Sequence, residues 1–297
     1  MEILHDEGIC ISCGSCVETC LRRNFQYDEH KKVQLIKNSV NNCLLCGHCL
    51  AVCPKDGALK LKGNNEELKK VLPPPSPEII YNFIASRRSI RRFTSKIPTK
   101  EQIETLVDIG RYAPSGHNSQ DFNFIVVFGH DKVKSIGKIA LQFYEGLINR
   151  LNTFIGRQLI KIFAGNKTFN NLEKMEPRLR RHIAIYKETG SIEMVWDAPC
   201  LILIHGPDKH DSAINSSLAG YNIILQAHSM GLGTCILGLL REGLIRQVNQ
   251  LNEVGIKIPG GNNIHMIICV GIPQLSSKYL KIPPRNSANV TYINTYL

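Results

Sequence analysis

The sequence predicts an α+β protein in which a small cysteine-rich module precedes one large mixed domain. Three observations support this reading. Eight of the eleven cysteines fall before residue 54. A proline-rich stretch, Leu72-Pro73-Pro74-Pro75-Ser76-Pro77, then breaks the chain. Beyond it, capped amphipathic helices mix with short apolar runs, without the regular alternation that a doubly wound parallel sheet requires. The 297 residues suffice for one large domain and a small one. The expected boundaries are 1–62 for the module, 63–77 for the linker and 78–297 for the large domain.

In the module, Cys10-x2-Cys13-x2-Cys16-x3-Cys20 recurs as Cys43-x2-Cys46-x2-Cys49-x3-Cys53-Pro54, each cysteine 33 residues after its counterpart. A glycine follows the second cysteine of each run, at Gly14 and Gly47. This is the spacing of bacterial two-cluster ferredoxins. A tight turn bearing three thiolates caps three irons of a cubane, and the fourth thiolate arrives from elsewhere. Cys10, Cys13, Cys16 and Cys53 are therefore expected to hold one [4Fe–4S] cluster, and Cys43, Cys46, Cys49 and Cys20 the other. Structural zinc takes separated pairs of ligands rather than a triplet plus one. A disulfide framework needs an oxidising compartment. Leu21 stands after Cys20 where Pro54 follows Cys53, which alters one cluster's surroundings and removes no ligand. His48 reads as a neighbour of the second cluster. A segment of about 60 residues buries little core, so the clusters are expected to staple it.

The linker begins at Gly63-Asn64-Asn65, and its three consecutive prolines favour an extended, semi-rigid spacer. Ser76-Pro77-Glu78 starts a helix, with Pro77 at its first position and Ile79, Ile80, Phe83 and Ile84 on one face. Thr99-Lys100-Glu101-Gln102 is a capping box, and Ile103, Leu106 and Val107 of the helix behind it face inward. Phe122 to Phe128, Leu201 to Ile204 and Ile264 to Val270 read as strands. A helix through Leu218, Tyr221, Leu225 and Met230 stops at Gly231. Residues 138–190 are long-helical and basic on one face, with Phe143, Leu147, Leu151, Phe154 and Ile155 as an apolar stripe. The stripe suits core or a dimer contact better than a membrane surface.

Four segments of the large domain stand out, although taken alone the first also suits a solvated basic turn, the second a helix-terminating turn and the last a basic extension. Arg87-Arg88-Ser89-Ile90-Arg91-Arg92 offers guanidinium forks and a hydroxyl for a phosphate. Tyr112-Ala113-Pro114-Ser115-Gly116-His117-Asn118-Ser119-Gln120 is dense in small polar groups. Gly231-Leu232-Gly233-Thr234-Cys235-Ile236-Leu237-Gly238 places glycines where backbone approaches something closely, and it is not the G-x-G-x-x-G of a Rossmann module. Lys281-Ile282-Pro283-Pro284-Arg285 brings two further cations.

Together, in this order and spacing, these segments resemble the nitroreductase family of FMN-dependent oxidoreductases, over residues 78 to about 287. The chain thus resembles a two-cluster ferredoxin fused ahead of a nitroreductase. The resemblance implies an FMN-binding α/β sandwich and an obligate homodimer with a flavin in each of two interface sites. It implies that Arg87, Arg88, Ser89 and Arg91 hold the ribityl phosphate, and that Pro114, Ser115, Gly116 and Asn118 reach the flavin from the partner subunit. It also implies that Ile236, Leu237 and Gly238 line the isoalloxazine, with Lys281 and Arg285 closing on the phosphate. Gln120-Asp121-Phe122 departs from the proline and tryptophan found in many relatives, and Asp121 bears on the site's shape or polarity. The implied activity is the passage of electrons between two [4Fe–4S] clusters and FMN. The acceptor would be small (a nitroaromatic, quinone, enone or flavin), and the donor a ferredoxin or NAD(P)H. The alternative is a non-catalytic electron or flavin carrier.

Cys200, Cys235 and Cys269 lie in apolar segments and read as small buried hydrophobes. Trp196 reads as core, and His117 as a loop residue with a lesser claim to orient substrate. The formal charge of +11 suggests nucleic acid at first sight. Two clusters with four thiolates each remove about 4 charges. A flavin phosphate removes roughly 2 more. The remainder is an ordinary surface excess, and no recognition helix or aromatic–basic platform is present, so no nucleic-acid partner is expected. Met-Glu-Ile-Leu-His-Asp lacks the pattern of an export signal, and no apolar run approaches the roughly 18 residues of a membrane span. The expectation is a cytoplasmic protein with no membrane partner.

Overall fold

The computed structural model describes residues 2–36, 39–63, 66–274 and 281–293. They form two compact units, one of Met1–Pro74 with Ser115–Ser119 and one of Pro75–Pro114 with Gln120–Leu297. The division falls between Pro74 and Pro75, inside the expected linker. The grouping of Ser115–Ser119 with the first unit is a feature that the sequence boundaries of 1–62 and 78–297 do not contain.

The first unit repeats one pattern twice. Strand β1 (Glu2–His5) pairs antiparallel with β4 (Leu59–Lys62). Helix α1 (Ser15–Thr19) is followed by the hairpin of β2 (Phe25–Tyr27) and β3 (Val33–Leu35). Helix α2 (His48–Val52) precedes β4, whose Lys62 meets Glu2 across the pair at 3.4 Å. Both helices start from a left-handed glycine, Gly14 at φ 83° and Gly47 at φ 75°. Side chains rarely adopt that backbone, which explains the glycine in each run. Ile3, Phe25, Val33, Leu50 and Leu59 form a small core together with Cys16 and Cys49.

The second unit opens with α3 (Pro77–Ser86), whose Ser76 hydroxyl caps the Ile79 N–H at 3.3 Å. Helix α4 (Lys100–Arg111) has both halves of the capping box, with Gln102 N–H to Thr99 Oγ1 at 3.2 Å and Thr99 N–H to Gln102 Oε1 at 2.9 Å. Then come β5 (Asn123–Phe128), α5 (His130–Leu151), α6 (Phe154–Thr189), β6 (Cys200–Pro207) and α7 (His210–Ser229). The unit closes with β7 (Gly233–Ile236), α8 (Gly238–Leu244), α9 (Val248–Glu253) and β8 (Asn262–Gly271). Helix α6 breaks at Gly165 (φ 78°, ψ 157°) and carries Pro177 in its second half.

The four strands form an antiparallel sheet in the order β5-β6-β8-β7. Its two central strands carry continuous apolar stretches, residues 200–204 and 266–270, because both faces are covered there. From β6, Leu201 and Leu203 enter the core beneath α5, α6, α8 and α9. Cys200, Ile202 and Ile204 point the other way, into the core shared with α4 and α7. The partner β8 changes parity along its length. Ile267 and Cys269 lie in the first core, as does Ile264, because a register shift at Ile204/His205 places one extra residue, His265, in β8. The result is an α/β/α sandwich in agreement with the expected class. Among the described residues no helix is long and apolar enough to cross a membrane.

Helix α3 forms as expected, but it buries no residue within the chain, and Ile79, Ile80, Tyr81 and Ile84 are exposed. The 138–190 stripe divides. Leu151 is buried, whereas Phe154 and Ile155 stand open.

Candidate functional site

In the first unit the crossed cysteine sets converge. One open cavity of about 340 Å³ is lined by Cys10, Cys13, Cys16 and Cys53, with Pro54 beside them. A second, of about 750 Å³, is lined by Cys20, Cys43, Cys46 and Cys49. The arrangement suits a cluster, because each cavity presents four thiols from two distant segments. Among the described residues, no three His, Cys, Asp or Glu side chains close on a single metal-ion position. The backbone is also prepared for sulfur. Ser12 N–H donates to Cys10 Sγ, Leu45 N–H to Cys43 Sγ and Asn24 N–H to Cys20 Sγ, each at 3.4 Å. Ser12 (φ 55°) and Leu45 (φ 52°) occupy equivalent places in the repeat, both left-handed. Burial raises the thiol pKa of Cys16, and raises that of Cys49 to about 12, so deprotonation there calls for a cation. Hydrogen bonds from Ser15 lower that of Cys13. His48 lines the second cavity as a neighbour.

The same unit holds Ser115–Ser119, whose 3₁₀ turn Gly116–Asn118 has left-handed residues at His117 (φ 54°) and Asn118 (φ 53°). Asn118 Nδ2 donates to Leu44 O at 3.1 Å and to Leu45 O at 3.0 Å. Asn118, one of the residues expected at a flavin, is thus hydrogen-bonded to the turn that carries the second cysteine set.

In the second unit the basic run does not act as one patch. Arg87 and Arg88 lie toward His228, whereas Ser89 and Arg91 lie toward Cys235. Arg88 Nη1 donates to Ala85 O and Arg87 O, both at 2.7 Å, and its Nη2 is buried without a partner among the described residues. Arg87 and Arg88 together lower the pKa of His228, after the larger effect of its burial. Ser89 and Arg91 instead face Cys235. The Cys235 thiol is held well below its ordinary value, first by a hydrogen bond with Cys269, its register partner on β8, and further by Arg91 and Ser89. Burial drives Cys269 the other way. Cys200, Cys235 and Cys269 are all buried, but Cys235 also borders a cleft and so exceeds the bland role expected of it.

That cleft, of about 380 Å³, is lined on one side by Cys235, Ile236, Leu237, Gly238 and Leu239. Opposite stand Arg91, Arg178, His182, Glu193, Met194 and Trp196. Leu237 N–H is taken by Ile267 O at 2.9 Å, and Tyr144 Oη donates to Leu239 O at 2.8 Å, so the backbone of this wall is fixed. Gly233 lies against Ile90, where an added Cβ would sit 2.7 Å from the Ile90 side chain, which explains that glycine. Arg91 lies over the Trp196 ring, 5.7 Å from its centroid. His182 is buried, with Nδ1 3.1 Å from Glu193 Oε2. Neither ring nitrogen has a hydrogen bond of good geometry among the described residues.

Trp196 packs against the first core, as expected, and also borders the cleft. His182, Glu193 and Arg178 went unrecognised in the sequence, because they meet through an irregular turn that no spacing announces. Trp196 (φ 54°) and Asp197 (φ 47°) are both left-handed. Asp121, the departure noted above, faces inward. Its carboxylate accepts from the buried Ser212 hydroxyl and from Asn215 Nδ2, the latter at 2.9 Å, and so fixes the start of α7. Lys281 and Arg285 are exposed, and among the described residues neither forms a hydrogen bond or ion pair.

An α/β/α sandwich with a basic cleft, joined to a module of two four-cysteine cavities, defines an oxidoreductase that carries iron–sulfur centres. Residues 84–272 match the model of the nitroreductase family, and the chain belongs to that family. Residues 9–57 match the 4Fe-4S dicluster domain. Over 217 residues the chain is 26% identical to the FMN reductase (NADPH) of Bacillus subtilis, covering 72% of each protein. It is 34% identical over 67 residues to a ferredoxin of Pyrobaculum islandicum, spanning 60% of that protein and 23% of this one. Among solved structures, it shares its fold with an FMN-bound nitroreductase from Bacteroides fragilis at TM-score 0.53 and 16% identity. It does so too with a BluB-like flavoprotein from Clostridium difficile at 0.54 and 17%. Each covers 72% of this chain, and 98% and 99% of the respective relative is matched.

Proposed function

We propose that this protein is an FMN-dependent oxidoreductase that moves electrons between two [4Fe–4S] clusters and a flavin to reduce a small acceptor, such as a nitroaromatic, quinone, enone or free flavin. The observation that carries the reading is the convergence of two crossed four-cysteine sets in a chain whose larger unit has the nitroreductase fold. Bound flavin would supply exchange between one- and two-electron chemistry, and the clusters one-electron transfer.

Cys10, Cys13, Cys16 and Cys53 ligate one cluster, and Cys20, Cys43, Cys46 and Cys49 the other. The flavin phosphate is held by Arg87, Arg88, Ser89 and Arg91, and by Lys281 and Arg285 of the terminal segment. The buried, unpartnered Arg88 Nη2 supports an anion there. Ile236, Leu237 and Gly238 line the ring. Pro114, Ser115, Gly116 and Asn118 serve the site of a second copy in a homodimer. The exposed apolar residues of α3 and the stripe Ile214, Leu218 and Tyr221 on α7 support such a dimer. Electrons enter from NADPH, in line with the name of the B. subtilis relative, or from a reduced ferredoxin. The setting is the cytoplasm, with neither nucleic acid nor membrane as partner.

An anaerobic reductive titration of the purified protein, followed by absorbance and electron paramagnetic resonance, tests this reading. Flavin bleaching by NADPH ahead of the cluster signals makes the flavin the inlet. Cluster reduction by ferredoxin, with NADPH inert, makes the cysteine module the inlet. Reducible cofactors with no turnover of nitrobenzene, menadione or FMN would identify a carrier instead. A preparation with neither sulfide nor flavin would refute the proposal.

A further inference from the structure

Strand β1 alternates, so Leu4 stands 43% exposed while Ile3 and His5 share the inward face. The two inward side chains meet different cysteine sets. Ile3 lines the cavity of Cys20, Cys43, Cys46 and Cys49. His5 lines the cavity of Cys10, Cys13, Cys16 and Cys53, beside Leu59, its register partner on β4. The His5 ring stands edge-on to Phe25, with centroids 6.3 Å apart and planes at 88°. Its Nε2 is buried and has no hydrogen-bond partner among the described residues. A buried polar nitrogen without a partner is costly, so a group that fills the cavity and completes it is favoured. Thiolates and inorganic sulfides offer only lone pairs, and they therefore select the tautomer with its proton on Nε2.

We propose that His5 donates its Nε2–H to the [4Fe–4S] cluster held by Cys10, Cys13, Cys16 and Cys53 and raises that cluster's reduction potential. The inference rests on the cluster assignment above and deepens it, since it gives one of two otherwise similar clusters a side-chain donor of its own. One-electron reduction adds a negative charge to the cluster, so a fixed N–H stabilises the reduced form more than the oxidised one. Backbone N–H groups already reach both sets, from Ser12 to Cys10, from Leu45 to Cys43 and from Asn24 to Cys20. The inward residue of β1 adds to that common background at one cluster alone, because the aliphatic Ile3 of the second cavity has no proton to give. His48, beside the second set, is exposed, so water competes for its ring.

An anaerobic potentiometric titration of the full-length, iron- and sulfide-loaded protein, followed by electron paramagnetic resonance and visible absorbance, tests the proposal. His5→Phe keeps a ring against Phe25 and removes the donor. One of the two cluster transitions is expected to move to more negative potential. Its reduced-to-oxidised ratio at fixed potential should fall about tenfold, which equals about 59 mV for one electron. The ratio for the other transition should change by less than about threefold. His5→Gln keeps an N–H donor and is expected to recover most of the shift. The inference is overturned if both transitions stay in place in fully loaded His5→Phe, if both move alike, or if His5→Gln shifts as far as His5→Phe. Should His5→Phe fail to keep its iron, pulsed resonance of the parent protein carrying histidine with isotopically labelled ring nitrogens decides. A coupled ring nitrogen that disappears in His5→Gln upholds the donor, and a spectrum unchanged in His5→Gln overturns it. A preparation with neither iron nor sulfide sinks the cluster reading itself, whereas full loading with unmoved potentials sinks this inference alone.

Discussion

Replacing Asp121 with alanine should unfold the larger unit well before the cysteine module. The carboxylate accepts hydrogen bonds from Ser212 and Asn215, whose side chains are 1% and 4% exposed. Hydrogen bonds to a charged group contribute about 1.5–3 kcal/mol each, and a buried donor stripped of its partner cannot recover that through water. Two such losses give about 3–6 kcal/mol for Asp121→Ala, while Asp121→Asn retains an acceptor oxygen and should cost about half. A unit of roughly 220 residues loses about 2–4 °C per kcal/mol, so the alanine variant should melt about 10 °C early. The assay is tryptophan fluorescence, because the chain's single tryptophan, Trp196, lies in the larger unit. Visible absorbance follows the cysteine module separately. A fluorescence midpoint within about 2 °C of the parent would refute the claim that this carboxylate fixes the start of α7.

The two glycines of the repeat should differ. A Cβ on Gly14 would lie 1.9 Å from Tyr27 Oη, whereas one on Gly47 meets nothing within 4 Å. Gly14→Ala should therefore cost about 2 kcal/mol more than Gly47→Ala and lose more acid-labile sulfide; equal loss would contradict the clash argument. Asn118→Ala removes both bonds to Leu44 and Leu45, about 1 kcal/mol each, and should speed proteolysis at 115–119 at least tenfold under native conditions. An unchanged cleavage rate would show that the contact contributes nothing. The pH response has a definite sign. Burial lowers the pKa values of His182, His205 and His228, so the unfolded chain binds protons that the folded chain refuses. Their contribution is complete above the ordinary histidine value of about 6.5 and is lost as pH falls below it. The denaturant midpoint of the larger unit should fall from pH 7 to pH 5, and His228→Gln should flatten the fall. A midpoint that rises would refute the assignment.

The legible parts of the sequence were those where one residue type answers one local demand. Two left-handed turns demanded glycine, and the triplet-plus-one cysteine spacing left only crossed sets able to close a cavity. Thr99 and Gln102 could satisfy each other within one turn, so the start of α4 was visible. The alternation of Leu201, Ile202, Leu203 and Ile204 between two cores was readable as apolar, but its two-sided burial depends on helices far along the chain. The illegible parts depended on pairing across long separations. Nothing local ties Asn118 to Leu44. Likewise, four arginines in six positions looked like one patch, because composition does not reveal that Arg87 and Arg88 lie toward His228 while Arg91 lies toward Cys235. Helix α3 read as amphipathic, but of its apolar face the chain covers Phe83, against His228, and leaves Ile79, Ile80 and Ile84 exposed.

The cleft owes its position to a turn that is strained on one side and anchored on the other. Left-handed backbone at Trp196 and Asp197 costs about 1–2 kcal/mol per residue. Ile192, Met194 and Val195 are almost fully buried, and each contributes about 1.5–3 kcal/mol, so the anchors exceed the strain. The fit is close, since an added Cβ on Gly137 would lie 3.0 Å from both Ile192 and Val195. Backbone bonds from Val195 N–H to Ile192 O and from Ala198 N–H to Val195 O, both 3.0 Å, hold the reversal. Because the core side chains fix this backbone, Glu193 and Trp196 are presented to the cleft by Ile192 and Val195, which do not line it. Changes at Glu193 or Trp196 therefore alter what the cleft accepts while leaving the anchors intact. Changes at Ile192 or Val195 would remove the strain's support and move both cleft residues together.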